Sequence, residues 1–261
     1  MSSNAEKIRE FYSSGGEEGR ADRNRSAEIE FHYTKKHLHP FIQADSRVLE
    51  LGCGTGYYAL CFAPQCAEYV GVDISPENIA LFQKNIGAAG FTNIHPCVGD
   101  ATALQNFADN SFDVVLALGP MYHLPREERR KVFAECRRVA RDGAIAAFSY
   151  INGIGVYAGA CVNWKDIYPN RKSNHYIFEK HTDDERPDVF FFTSPEEMEE
   201  DGASHGFSVI GNYGLDFFFE ADAIDQMSEE QYACYLELAD RMSASRSCTG
   251  LANHALLICR T

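Results

Sequence analysis

This 261-residue chain has one tryptophan and far fewer cations than anions: 24 Lys and Arg stand against 38 Asp and Glu, for a formal net charge of −14. A surface of that sign repels phosphate backbones, so nucleic acid is not an expected partner. No apolar run reaches membrane-spanning length, and the stretch from Met1 to Arg9 is polar, with no apolar signal core. The expectation is therefore a cytoplasmic protein that does not engage a membrane. The nine cysteines form no C-x-x-C pair, which suits reduced, buried thiols and gives no metal site. No G-x-x-x-x-G-K-[ST] run occurs, which removes a P-loop. The few cations that gather near the N-terminus, Arg20, Arg23, Arg25, Lys35 and Lys36, read as a solvated helix face.

What the chain does have is the run Arg47-Val48-Leu49-Glu50-Leu51-Gly52-Cys53-Gly54-Thr55-Gly56-Tyr57. A short apolar strand ends in an acid and then in glycines at alternate positions. Such a turn lets a ligand lie against bare main chain. Strand, glycine turn and helix together form the nucleotide corner of a Rossmann-like sheet. A dinucleotide corner spaces its glycines G-x-G-x-x-G, but here the spacing is G-x-G-x-G and position 57 is Tyr. That disfavours a nicotinamide oxidoreductase.

Strands and helices alternate through the middle of the chain. Strands are expected at 47–51, 68–72, 94–98, 112–118 and 144–150. Ser75-Pro76-Glu77 opens a helix with a cap, a first-turn proline and an acid, and Ile79, Phe82 and Ile86 make its apolar face. Val132, Phe133, Cys136 and Val139 make the inner stripe of another helix. This alternation predicts an α/β fold, a mostly parallel Rossmann-like sheet with helices on both faces. Strands at 207–213 and 255–259 would complete it as a seven-stranded sheet with an antiparallel last hairpin. Ser228 to Gln231 is a capping box for a helix reaching about Met242. Two N-terminal helices are expected near 6–12 and 26–39. Residues 151–188 have no clean assignment.

In an open α/β sheet the ligand lies outside the carboxyl ends of the strands. The first strand ends in Glu50 and the glycine turn. The second ends at Asp73, placed to accept from ribose hydroxyls. The third ends at Asp100-Ala101, suited to an adenine amino group and ring nitrogen. The fourth ends at Leu118, whose carbonyl suits an ammonium. Singly, each acid reads as a helix cap, but in register they make a set.

Glu50-x-Gly52-x-Gly54-x-Gly56, Val72-Asp73-Ile74, Gly99-Asp100-Ala101 and Phe112-Asp113-Val114-Val115 together resemble the motifs of the class I S-adenosylmethionine (SAM) dependent methyltransferases, over about residues 45–150. The resemblance implies SAM as cofactor, S-adenosylhomocysteine (SAH) as product, and no metal. It carries donor-binding roles to Glu50, Gly52, Gly54, Gly56, Asp73, Ile74, Asp100, Ala101 and Leu118. It also implies one domain, with a helical lid over residues 1–40, a SAM-binding core over 41–150, a substrate-covering insertion over 151–192 and completion of the sheet over 193–261.

The segment Gly119-Pro120-Met121-Tyr122-His123-Leu124 follows the fourth strand. It has Gly where amino-group methyltransferases acting on adenine or glutamine carry Asn or Asp, and it resembles a G-P-x-Y-H-L version found in small-molecule members. His123 reads either as a general base, with an intrinsic pKa near neutrality, or as a structural histidine ahead of the next helix. Tyr122 would flank the acceptor or pack. Tyr12 is expected to close over the donor from the lid, with His32 and Tyr150 lining the acceptor site. The aromatic residues Tyr157, Trp164, Tyr168, Tyr176 and Phe178 read as core or as substrate cover, and His175, His181 and His254 have no motif support. The expected activity is methyl transfer to O, N or S of a small molecule. The other readings are methylation of RNA or protein, and SAM binding without catalysis. Nothing in the sequence speaks to oligomeric state.

Overall fold

The computed structural model describes residues 6–9, 24–185, 187, 189–217 and 221–261. Five strands run parallel: β1 (Arg47–Leu51), β2 (Glu68–Asp73), β3 (Ile94–Val98), β4 (Phe112–Ala117) and β5 (Ala140–Ile151). The last strand, β7 (His254–Arg260), lies antiparallel between β5 and β6 (Ser208–Gly214), so the sheet order is β3-β2-β1-β4-β5-β7-β6. The chain reverses direction across the sheet after β1, and a crevice opens there at the strands' carboxyl ends.

Helices α1 (Arg25–Leu38), α2 (Tyr57–Phe62), α3 (Pro76–Ala89) and α4 (Arg126–Val139) precede β5. After it come α5 (Gly153–Asn163), α6 (Arg171–His175), α7 (Pro195–Ser204), α8 (Ala221–Asp225), α9 (Glu229–Ser243) and α10 (Arg246–Thr249). The caps are those the sequence encodes. Ser75 Oγ accepts from the Asn78 amide at 3.1 Å, Ser194 Oγ from the Glu197 amide at 3.2 Å, and Ser228 with Gln231 closes a full capping box.

The period-two alternation of strands sorts side chains between two cores. Val48, Leu116 and Ile258 join Phe62, Phe82 and Tyr33 on the face covered by α1, α2, α3 and α9. Leu49, Leu51, Val115 and Phe148 join Phe133 and Met198 on the face covered by α4 and α7. Ion pairs fasten these last two helices. Asp201, its side chain fully buried, accepts from Arg126 at 2.9 Å and Arg130 at 3.0 Å.

Three details depart from expectation. β5 starts at Ala140 rather than Ala144, because α4 passes straight into it, and Asp142-Gly143 lies inside the strand with Gly143 at φ 79°. The unassigned stretch folds as α5, α6 and a π turn (Tyr176–Lys180) around a small core of Ile151, Tyr157, Ala160, Ile177 and Phe192. Trp164 and Phe178 are exposed there rather than buried. Asn152 pins the start of α5, donating to the carbonyls of Gly250 at 2.9 Å and Ala252 at 3.0 Å.

Of the two expected N-terminal helices, α1 matches the second, and residues 6–9 are helical. Tyr12, Arg20 and Arg23 lie outside the described residues. α1 is fastened to α9: the Tyr33 hydroxyl donates to Asp240 at 2.9 Å, and Lys36 pairs with the same carboxylate at 2.5 Å.

Candidate active site

The crevice holds a cavity of about 320 Å³, within the usual range for small-molecule sites. Its floor is built by the strand ends in sheet order. Asp100 and Ala101 come from β3, Asp73 and Ile74 from β2, Glu50 and the glycine turn from β1, and Leu118 from β4. Ile8, Glu30 and Phe31 reach it from the N-terminal side. Tyr122 and His123 line it beyond Leu118.

The glycine turn fits this position for steric reasons. Gly52 has φ +73°, and a Cβ there would sit 2.8 Å from Gly119 Cα and Pro120 Cδ, so the loops after β1 and β4 touch through bare backbone. Gly54 has φ +52°, and a Cβ there would meet no atom within 4 Å; its main chain borders open cavity. Gly56 does not line the cavity. It caps α2 and lies against the Phe82 ring.

Asp73 organises the turn. Its Oδ2 accepts from the Gly54 amide at 2.8 Å. Its Oδ1 accepts from the Ser75 amide at 2.9 Å and the Asn78 side chain at 3.2 Å. A carboxylate has about four acceptor sites, so one remains for a ligand hydroxyl rather than two. Burial raises the Asp73 pKa, opposed by these same hydrogen bonds. Glu50 is buried beneath the turn and accepts from the Tyr69 hydroxyl at 2.9 Å. Desolvation carries its pKa up to about 8 against the pull of the Tyr69 bond, with Asp73 adding to the rise. At neutral pH Glu50 is mostly a neutral acid. Asp100 is exposed and accepts from the Thr102 amide at 2.8 Å and hydroxyl at 2.7 Å.

His123 is buried in the wall, with Nδ1 2.9 Å from the Val189 carbonyl. A carbonyl only accepts, so Nδ1 carries the proton and Nε2 is the basic nitrogen of the neutral ring. The Tyr122 hydroxyl donates to the Leu118 carbonyl, the oxygen expected to face an ammonium, so that oxygen is already partnered.

Two expected acceptor residues lie elsewhere. Tyr150 is fully buried on the α4 face, its hydroxyl donating to Asn212 at 2.8 Å. Strand alternation turns it away from the cavity. His32 is exposed, with its ring edge-on to Tyr33. A helix turns by about 100° per residue, so Glu30 and Phe31 facing the cavity put His32 outside. Glu30, Phe31 and Tyr58 line the cavity without having been singled out in the sequence. The available signal was an acid, Glu30, one position from Ile29 on the buried face of α1, with Thr34 a turn later.

Residues 48–143 match the family model described as a methyltransferase domain. This segment is similar to methyltransferase domains. The curated relative YcgJ of Bacillus subtilis, an uncharacterized methyltransferase, is 32% identical over 100 residues, 38% of either chain. A SAM-dependent methyltransferase structure from Methanosarcina mazei superposes with TM-score 0.58 at 18% identity, covering 86% of this chain and 96% of that one. The putative methyltransferase of Haloferax volcanii, solved with its Trm112 activator, superposes with TM-score 0.62 at 14% identity, covering 97% of this chain and 96% of that one. Matches to the first curated relatives span only 38–51% of those proteins' length. The matched segment thus holds β1 to β4, α4 and the first residues of β5. The sheet is completed and the cavity covered by chain outside it. No helix among the described residues is long and apolar enough to cross a membrane.

Proposed function

We propose that this chain is a SAM-dependent methyltransferase that transfers methyl to O, N or S of a small molecule. The observation that carries the reading is the alignment of Asp100, Asp73, Glu50 with the glycine turn, and Leu118 along one sheet edge, all bordering one cavity. The residues present fit the donor. Gly54 offers bare main chain, Asp73 keeps one acceptor site for a ribose hydroxyl, and Asp100 with the Ala101 amide suits an adenine edge. Residues 1–40 act as lid, 41–150 as donor-binding core, 151–192 as cover over the acceptor and 193–261 as completion of the sheet.

When bound, SAM supplies an electrophilic methyl group on a sulfonium. The chain's own work is to orient a nucleophile in line and to exclude water. Ile8 and Phe31 supply the apolar cover. His123, held through Nδ1 by the Val189 carbonyl of the insertion, is the base of this reading for an acceptor that starts protonated. Tyr122 packs beside it, ring centroids 5.3 Å apart.

The direct test is calorimetry with SAM and SAH, followed by a metabolite screen read by SAH release. Binding of both is expected. No binding of either ends the reading.

A further inference from the structure

Lys35 stands one helical turn after Phe31 on α1, outside the matched residues 48–143. The sequence places it on a solvated face, yet the side chain is half-buried and turns onto Tyr57, which lines the cavity. Its Nζ is 2.9 Å from the Tyr57 hydroxyl and 5.1 Å from the centre of that ring. Tyr57 is the first residue of α2 and directly follows the glycine turn. Its ring is held edge-on by Phe31 at 4.7 Å and by Tyr58 at 5.5 Å between centroids.

An ammonium has hydrogens to give and no lone pair, so Lys35 donates and the phenol oxygen accepts. The tyrosine's own hydrogen then goes to a different acceptor, and a ligand oxygen in the cavity can supply one. A hydroxyl polarised by a cation makes its strongest bond to an anion. Burial opposes the Lys35 charge, but the Tyr57 bond and the groups around it outweigh burial and raise the pKa, so Lys35 is an ammonium at neutral pH.

The place of Tyr57 in the fold says which part of a ligand meets it. In the sheet order β3-β2-β1-β4 the proposed donor site runs from Asp100 for the adenine, past Asp73 for the ribose and over the glycine turn after β1, to Leu118 for the ammonium. Tyr57 belongs to the β1 step, between ribose and ammonium. The α-carboxylate shares a carbon with that ammonium and is the one anionic group of SAM. A hydroxyl backed by Lys35 attracts the carboxylate and repels the ammonium.

We propose that Tyr57, backed by Lys35, binds the α-carboxylate of the methyl donor, so that a helix outside the matched segment selects a donor carrying its complete amino-acid part. Tyr57 touches the ligand, and Lys35 is a positioning residue behind it. This deepens the donor reading above and rests on it.

The test titrates, by calorimetry, SAH and its decarboxylated analogue S-adenosyl-3-thiopropylamine, which keeps the adenosine, the thioether and the amine. Wild-type protein is expected to bind SAH about tenfold or more tighter than the analogue, as a charge-assisted hydrogen bond requires. Tyr57→Phe and Lys35→Met should each weaken SAH by about that factor and leave the analogue within about twofold of wild type, so the preference disappears. A merely structural role would weaken both ligands alike. Three results overturn the proposal: wild-type protein that binds the two ligands equally, variants that weaken both alike, or variants that keep the preference. The last is the result expected if the pair serves the acceptor instead. The wild-type comparison decides even where a variant fails to fold. Binding of neither ligand to wild-type protein removes the donor reading together with this one, whereas SAH binding without a preference removes this one alone.

Discussion

Replacing Asp73 by Asn tests the centre of the site. The side chain holds three protein donors, one on Oδ2 and two on Oδ1. An amide nitrogen must take the place of one oxygen. In the less costly orientation it replaces Oδ2 and faces the Gly54 amide, donor against donor. Leaving that buried donor unpaired costs about 1–3 kcal/mol. The charge-assisted bond to a ribose hydroxyl, about 1.5–3 kcal/mol, is lost from the complex. At about 1.4 kcal/mol per decade, SAH should bind roughly tenfold to a hundredfold more weakly. The unliganded protein should melt several degrees lower, at about 2–4 °C per kcal/mol for a chain of this size. Ser75→Ala is the control. It removes the α3 cap, worth about 1 kcal/mol, and leaves the carboxylate in place, so it should lower the melting temperature with little effect on affinity. Calorimetry and thermal melts on both variants separate the two effects. An Asp73→Asn affinity within about twofold of wild type would falsify the assignment of this carboxylate to the ligand.

Other perturbations probe the remaining parts. His123→Ala should lower the methyl-transfer rate by about 10²–10⁴-fold and flatten its pH profile while SAH affinity holds; an unchanged rate makes His123 a packing residue for Val189. Gly52→Ala, at φ +73° with its Cβ 2.8 Å from Gly119 Cα, should abolish SAH binding, and calorimetry finding normal affinity would contradict the contact between the two loops. Glu50 titrates near its ordinary 4.5 when unfolded and at about 8 when folded. The folded state therefore holds the extra proton, and stability is full below pH 4.5 and falls as pH rises to about 8, by at most about 1.4 kcal/mol per pH unit from this group. Glu50→Gln keeps an acceptor for Tyr69 and should remove that part of the slope in denaturant titrations across this range; identical slopes would reject the neutral acid. Asp201→Ala unfastens α4 from α7 and should cost about 2 kcal/mol, below the cost of a fully buried pair because both arginines reach water; an unchanged denaturation midpoint would count against it.

Local chemistry explains which elements could be read in advance. Ser75, Ser194 and Ser228 open helices because a cap is satisfied within four residues, and Val132, Phe133, Cys136 and Val139 repeat at helical spacing. Gly52 and Gly54 announce a turn because only glycine adopts their positive φ without strain. Residues 151–188 are illegible in the sequence because their order rests on distant partners, as Asn152 does on Gly250 and Ala252. Trp164 and Phe178 look like core by composition, yet both are exposed.

The sequence by itself determined the alternation, the glycine turn and the three acids at consecutive strand ends, because each is encoded within a few residues. Only the tertiary structure decided which side chains share the cavity. It turned Tyr150 into the far core and His32 to the surface, brought in Glu30, Phe31 and Tyr58, and set His254 against Asp216. Those outcomes depend on strand parity, on the rotation of a helix docked by α9, and on the antiparallel insertion of β7, none of which any short segment specifies.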